Sequence, residues 1–448
     1  MKKQIVLLGL LIFAILGLGA QTINLEKVRL LALANSRELA QANLSVKSSV
    51  LDEKASLYPM LPVISAGYSA SSSYLNNDWA FVSPKDTFKA GIDLKLTQMI
   101  FDGGRNYVLK TISSLSTESA RKNALAVYFS VLDSADSAYY AVLEAAASLE
   151  AEESSLKSVL ASLEIAEIRQ ASGMINPGDY LKALADRETR ENSRNQARRT
   201  LSMKTMDLKS ITGLSEAPQP EQIDFSGYET LLLYLGAISD NEAASLYSRF
   251  RDILAAGNPQ LAREAYNVQS SEKNLSLAKR KYFPEVKASI ISPGLAYSTA
   301  NGFSFKSGGG GIAITGTIPI DFWNASNSIE KSRINAEKAS LNYTSTENQL
   351  ESNLQSTLYT LFSNAGTVLS SRRSLEYADK HYEYVMERYK LSQSSISDLV
   401  DASTLLITNR NNLIKAQYGF LRSLSTLRSM GAIDDEAKLV KILMGTAQ

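Results

Sequence analysis

The chain contains no cysteine and a single histidine. The first absence excludes disulfides, thiolate chemistry, cysteine metal sites and a cysteine-linked lipid anchor. The second argues against histidine-based zinc sites and Ser-His-Asp triads, both of which depend on imidazoles. Neither sign of charge is in excess. Lys plus Arg is 47 and Asp plus Glu is 46, a formal charge of +1 over 448 residues. General polyanion binding needs a basic face, and this balance argues against one. There are only 10 prolines, and long stretches hold none. That favours long helices, because proline breaks them. Beyond the first twenty residues no long apolar run exists, and the longest candidate, 231–238, is far too short for a membrane helix. A membrane β-barrel escapes that exclusion, since its strands are short and only half apolar. What is present is 44% hydrophobic and 21% charged residues, enough to bury a core and too apolar for a disordered chain.

Residues 1–20 read as an address. Lys2 and Lys3 precede the apolar run from Ile5 to Leu18, and Gly19-Ala20 offers small residues before Gln21. This is the three-part pattern of a secretory signal, with cleavage near Ala20. The alternative, an uncleaved anchor, has an apolar run short of the ~20 residues a span requires.

The remainder repeats itself. The stretch NSRELAQANLSVKSS resembles NPQLAREAYNVQSS, so that Leu39-Ala40 aligns with Leu261-Ala262 at an offset of 222. Val46 and Val268, Pro62 and Pro284, and Ala66 and Ala288 share that offset. Ile100 and Ile320, and Tyr139 and Tyr359, follow at 220; Asp179 and Asp398, Ala183 and Ala402, and Asn192 and Asn411 follow at 219. Colinear matches in this order point to duplication of one long unit, which argues against a solenoid of short repeats. The divisions expected are a first repeat over 21–213, an inter-repeat belt of irregular chain over 214–256, a second repeat over 257–431 and a tail over 432–448.

Each repeat reads as helix, two strands, very long helix, tip and helix. Apolar residues at helical spacing predict a helix over 24–57, ended by Pro59 and Pro62. Ile64, Ala66, Tyr68 and Ala70 then alternate with Ser65, Gly67, Ser69 and Ser71. Phe88, Ala90, Ile92, Leu94 and Leu96 alternate with Lys89, Gly91, Asp93, Lys95 and Thr97, which is the period of a half-wet strand. In the second copy Val286, Ala288 and Ile290 alternate with Lys287 and Ser289, and Ile312, Ile314, Gly316 and Ile318 follow the Gly308–Gly311 run. Between Gly104 and Gly173 there is neither proline nor glycine, and from Ala325 to Ser392 only Gly366. Helices of that length reach about 100 Å and pack as coiled coils. Leu156, Val159, Leu163 and Ala166, and Leu375, Ala378, Tyr382, Val385 and Tyr389, supply short heptads. The helices predicted at 24–57 and 180–212 together match one long helix, so stacked end to end they can lie beside it.

Four strands in two hairpins cannot close a barrel, and open edges cannot sit in lipid. Three chains give twelve strands, a permitted number. On that reading the apolar set Phe88, Ala90, Ile92, Leu94 and Leu96 faces lipid, and Lys89, Asp93 and Lys95 face a wet lumen. Trp79, Phe81, Phe283, Phe322 and Trp323 flank the strands as an aromatic girdle does. The alternative is a soluble β-domain with the apolar faces in a core.

The paired LA…P helix-to-strand junctions, the QMIFDGGRN start of the first long helix and the tips RQASGMINPGDYLKA and RYKLSQSSISDLVDASTLL resemble the TolC-type outer-membrane efflux proteins. The resemblance runs from about residue 24 to 431. It implies a mainly α protein with a membrane β-barrel: a homotrimer whose twelve-stranded barrel is continued by a twelve-helix periplasmic tunnel. The function implied is a passive duct in outer-membrane lipid, for tripartite efflux or type I secretion, joined through a periplasmic adaptor protein to an inner-membrane pump. By the same resemblance Asp179 and Tyr389 link neighbouring coils at the gate, and Asp398 and Asp401 form acidic rings at the entrance. An Arg that locks the closed gate in the best-known members is Ser394 here. The second strand-to-helix junction, IPIDFWNAS, also departs from the Phe-Asp-Gly-Gly kept at Phe101–Gly104. Read without the resemblance, Asp398 and Asp401 are a solvated first turn sharing one helix face, Tyr389 is core, and His381 is a surface residue. No catalytic, cofactor-binding or metal-binding set is found, and the glycine run lacks the Lys-Ser or Lys-Thr of a phosphate loop. The competing function is a coiled-coil adaptor or structural protein of an export complex, but adaptors carry one helical hairpin and no duplicated strand pairs. A carboxylate hydrolase would need two converging acids, which nothing in the sequence locates.

Overall fold

The structure, a computed structural model, describes residues 22–72, 88–216, 218–298, 302–305, 310–318 and 320–445. The signal segment, Trp79, Phe81 and Gly308-Gly309 lie outside them. In chain order the elements are β1 (Thr22–Ile23), α1 (Leu25–Asn35), α2 (Arg37–Ala55), β2 (Val63–Ser72), β3 (Phe88–Phe101), α3 (Arg105–Ala171) and α4 (Pro177–Thr212). There follow β4 (Gln219–Pro220), α5 (Glu229–Gly236), α6 (Asp240–Gly257), α7 (Pro259–Lys279), β5 (Glu285–Ile291), β6 (Leu295–Ser298), β7 (Gly302–Phe305), β8 (Gly311–Thr317), α8 (Phe322–Lys390), α9 (Ile396–Met430) and α10 (Glu436–Leu443). The two long helices run 67 and 69 residues, as the spacing of proline and glycine predicts. No helix of the described residues is long and apolar enough to cross a membrane.

Three expectations need correction. The helix predicted over 24–57 is two helices. Ser36 leaves helical geometry, and its hydroxyl accepts from the Leu39 amide at 3.1 Å, so a local cap displaces one turn of helix. The belt at 214–256 is largely helical, because Ser239 and Glu242 form a reciprocal capping box that starts α6. The second hairpin is interrupted. Its first strand breaks at Ser292-Pro293-Gly294, where proline has no amide to donate.

The chain forms two compact units, each described by itself. One comprises 41–125 and 259–349 and holds the large sheet. There β2 pairs antiparallel with β3, whose other edge takes β5 and β6 in succession; β8 pairs with β5 and β7 with β6. Across the interruption Ser292 keeps the sheet knitted. Its amide donates to the Leu94 carbonyl at 2.8 Å, and its hydroxyl accepts from the Leu94 amide at 3.1 Å. Gly294 is required beside it, because a Cβ there would stand 2.7 Å from the Ile92 carbonyl oxygen. At the strand-to-helix junction the Asp102 carboxylate accepts from the amides of Gly104 at 2.9 Å and Asn106 at 2.6 Å. In the second copy Asp321 accepts from the Asn324 amide at 3.2 Å, so the departing sequence keeps an acid at the helix start.

The other unit comprises the remaining helical segments and the small parallel pair β1–β4. The end of α4 abuts the end of α1: the Asn35 side chain donates to the carbonyls of Ser210 at 3.1 Å and Ile211 at 3.2 Å. Gly213, with φ 69°, turns the chain away there. The core gathers Leu232, Leu235, Phe250, Leu354, Leu358, Leu361, Phe420 and Leu421.

Candidate functional sites: the sheet face and the paired tips

The register of the sheet aligns the apolar side chains of all its strands. Ile64 stands opposite Leu96, Leu96 opposite Ile290, and Ile290 opposite Ile312. Tyr68 stands opposite Ile92, and Ile92 opposite Leu295. Ala90, Ile92, Leu94 and Leu96 therefore share one face, and Asp93 and Lys95 lie on the other. The side chains of Phe88 and Lys89 are outside the described residues. Among the described residues nothing covers the apolar face: Tyr68 is 89% exposed, Ile312 78%, Ile314 76% and Ile92 57%. A soluble β-domain buries such residues, so their exposure among the described residues weighs against that alternative. On the polar face the Asp93 carboxylate lies over Gly67, its cross-strand partner. Near the helix starts Tyr282 stacks on Phe322, while Phe283 and Trp323 are exposed.

The tips lie in the other unit. Each follows the same plan. The first long helix ends at Gly173 (φ 70°) and α4 starts with the Asn176 side chain accepting from the Asp179 amide at 2.9 Å. The second ends at Ser392 (φ 60°) and α9 starts with the Ser395 hydroxyl accepting from the Asp398 amide at 3.1 Å. These pairs differ by 219 residues, the offset read from the sequence. Leu163, Ala166, Ala183, Val385, Tyr389, Ile396, Leu399 and Ala402 pack into one apolar cluster between the tips.

Among the expected site residues, Tyr389 is 1% exposed, and its hydroxyl has no hydrogen-bond partner among the described residues. Burial raises its pKa, Arg169 opposes the rise and Asp179 adds to it. Within the chain the Asp179 carboxylate accepts from the Asn176 side chain at 2.8 Å and does not bond Tyr389. Ser394 donates to the Asp398 carboxylate at 3.0 Å, which also accepts from the Ser395 amide at 3.0 Å. The Ser395 amide and hydroxyl and the Ser394 hydroxyl hold the Asp398 carboxyl below its ordinary pKa. Asp398 and Asp401 are both exposed. The exposed His381 takes no part. Among the described residues no group of three or more His, Asp or Glu is placed to hold a metal.

The sequence reading missed a buried charge cluster in this unit. Asp136, fully buried, accepts from Arg29 at 2.6 and 2.8 Å, from Arg428 at 2.8 Å and from the Ser425 hydroxyl at 2.6 Å. It ties α1, α3 and α9 together. The available signal was an acid inside the apolar stripe of Leu132, Ala135 and Tyr139.

Among the described residues, a sheet with one uncovered apolar face, two very long helices and paired tips are the features of a subunit of a membrane channel. Solved structures with this fold include the CmeC outer membrane channel of Campylobacter jejuni, 16% identical, covering 95% of this chain and 90% of that one at a TM-score of 0.77. The outer membrane protein VceC of Vibrio cholerae is 16% identical over 91% of this chain and 96% of that one, with a TM-score of 0.75. The MtrE channel of Neisseria gonorrhoeae in its open state is 16% identical over 91% of this chain and 88% of that one, with a TM-score of 0.71. No curated protein matches this chain in sequence. The model of the outer membrane efflux protein family matches residues 29–214 and 251–431, and the chain belongs to that family. It is an outer-membrane export channel of efflux systems.

Proposed function

We propose that three copies of this chain close a twelve-stranded barrel in outer-membrane lipid and unite their helices in a twelve-helix tunnel. The assembly is a passive duct, fed by an inner-membrane pump through a periplasmic adaptor, in tripartite efflux or type I secretion. The observation that carries this reading is the sheet. Among the described residues its outer edges on β2 and on β7 and β8 have no strand partner and its apolar face is bare. Lipid forbids open edges, and three such sheets joined edge to edge have none. The apolar side of β3 then meets lipid, while Asp93 and Lys95 line water.

At the tips the buried, unpartnered Tyr389 hydroxyl finds its acceptor on a neighbouring coil, Asp179 being the nearby acid. Asp398 and Asp401, exposed and three residues apart on one helix, form the entrance ring, six carboxylates in the trimer. Their field attracts cations to a narrow axis.

Single-channel recording in planar bilayers tests the proposal. The wild-type trimer is expected to conduct with cation selectivity and to be blocked by multivalent cations. Asp398→Asn combined with Asp401→Asn should weaken both properties. Conductance with unchanged block in the double variant would place the ring elsewhere, and no conductance at all would refute the channel.

A further inference from the structure

We propose that Arg169 is the latch that holds the two tips of one chain together at rest, a positioning residue for the gate; this rests on the channel reading above. The two long helices end alike. Arg169 and Arg388 occupy equivalent places, 219 residues apart, and each carbonyl accepts the amide five residues on, from Met174 and from Gln393, both at 2.8 Å. Their side chains nonetheless do different work. Arg388 stays within its own tip, donating to the Gln393 carbonyl at 3.1 Å and lying 5.6 Å from the ring of Tyr384, all exposed.

Arg169 crosses to the other copy. It is only 8% exposed. Its guanidinium donates to the carbonyl of Tyr389 and, at 3.2 Å, to that of Lys390, and it lies 4.5 Å from the centre of the Tyr389 ring. The last carbonyls of a helix have no donor within the helix and carry its negative dipole end, so a buried cation there is held by several interactions at once. Parting the second tip from the first breaks all of them and strands a buried charge.

The apolar cluster also joins the tips, and further along the same helices Arg190 donates to the Thr404 hydroxyl at 2.6 Å. Lys182 donates to the Ser397 hydroxyl at 2.5 Å, but both are on the surface and the acceptor is neutral. Ser394 turns to Asp398 in its own tip and has no hydrogen bond to the first tip among the described residues. Arg169 of the first copy supplies a buried charged cross-link where position 394 supplies none.

The test is single-channel recording of the full trimer with Arg169→Gln, Arg169→Lys and Arg388→Gln, alongside heat stability of the trimer. Glutamine at 169 should raise the resting open fraction roughly tenfold or more, as expected for loss of charge-assisted hydrogen bonds, while the heat-stable trimer persists. Lysine keeps the charge without the planar fork and should fall between. Arg388→Gln should match the wild type. If Arg169→Gln does not assemble, the same comparison is made with Arg169→Lys. A resting open fraction unchanged by substitution at 169, or raised equally by Arg388→Gln, overturns the latch while the channel stands. A wild-type trimer that never conducts overturns the channel reading and the latch with it.

Discussion

At the scale of single residues the most consequential group is Asp136. Its carboxylate pairs with both Arg29 and Arg428, and removing it takes the hydrogen-bonded acid from two guanidinium groups, of which that of Arg428 is buried. Breaking such a cluster from one side costs about 3–5 kcal/mol. Asp136→Ala should therefore lower the thermal midpoint of the purified protein sharply, as circular dichroism would show, and an unchanged midpoint would mean the cluster is not structural. Its neighbour Asp133 behaves oppositely. Burial raises the Asp133 carboxyl pKa, as does Asp136, while the hydroxyls of Ser425 and Thr426 and the Arg428 charge oppose the rise. A folded value above the unfolded one means that the folded state favours the proton. Stability present below the unfolded pKa is then lost as pH rises through the folded value. Asp133→Asn should raise the thermal midpoint at neutral pH, and the gain should shrink towards about pH 4, the ordinary carboxylate range. Neither residue was legible beforehand. A charge in an Ala- and Ser-rich helix reads as surface until the partner helices are known, and these partners lie 107 and 292 positions away.

At the scale of elements, the long helices were the most legible feature, because missing proline and glycine over such lengths leaves little alternative. The face of β3 was legible too. Strict alternation assigns sides, and the register places Ile92 opposite Tyr68 and Leu295, with Asp93 opposite Gly67. Ile92→Arg should impair membrane assembly, costing about 2–4 kcal/mol near the bilayer midplane, whereas Asp93→Asn should assemble normally. Heat-modifiable bands from outer-membrane fractions compare the two, and equal behaviour would contradict the facing. The breaks were less legible. Ser36 reads as one more polar helix residue, and only the hydroxyl's competition for an amide shows otherwise. Pro293 in ISPGLAY carried a signal of the interruption that the expected unbroken hairpin left unused, since proline inside a strand marks an edge or a bulge. The tips depended on the resemblance: periodicity alone made Tyr389 core, and the structure buries it while leaving its hydroxyl without a partner among the described residues.

At the scale of the whole molecule, the account turns on number. Among the described residues one chain supplies an open sheet with two free edges and one bare apolar face, and closure with further copies satisfies both in lipid. Barrels of eight strands or more are the rule in this membrane, and four strands per chain reach twelve with three copies. Duplication explains why a single chain carries two tips and two long helices, and in the proposed trimer symmetry multiplies each feature threefold. The sequence carried this conclusion as far as strand arithmetic and family likeness allow; edge pairing between copies is not encoded in any local pattern. The decisive measurement is the protein mass of the purified assembly in detergent, by light scattering corrected for bound detergent. The account predicts three chains per particle, and a well-folded particle holding a single chain would contradict it.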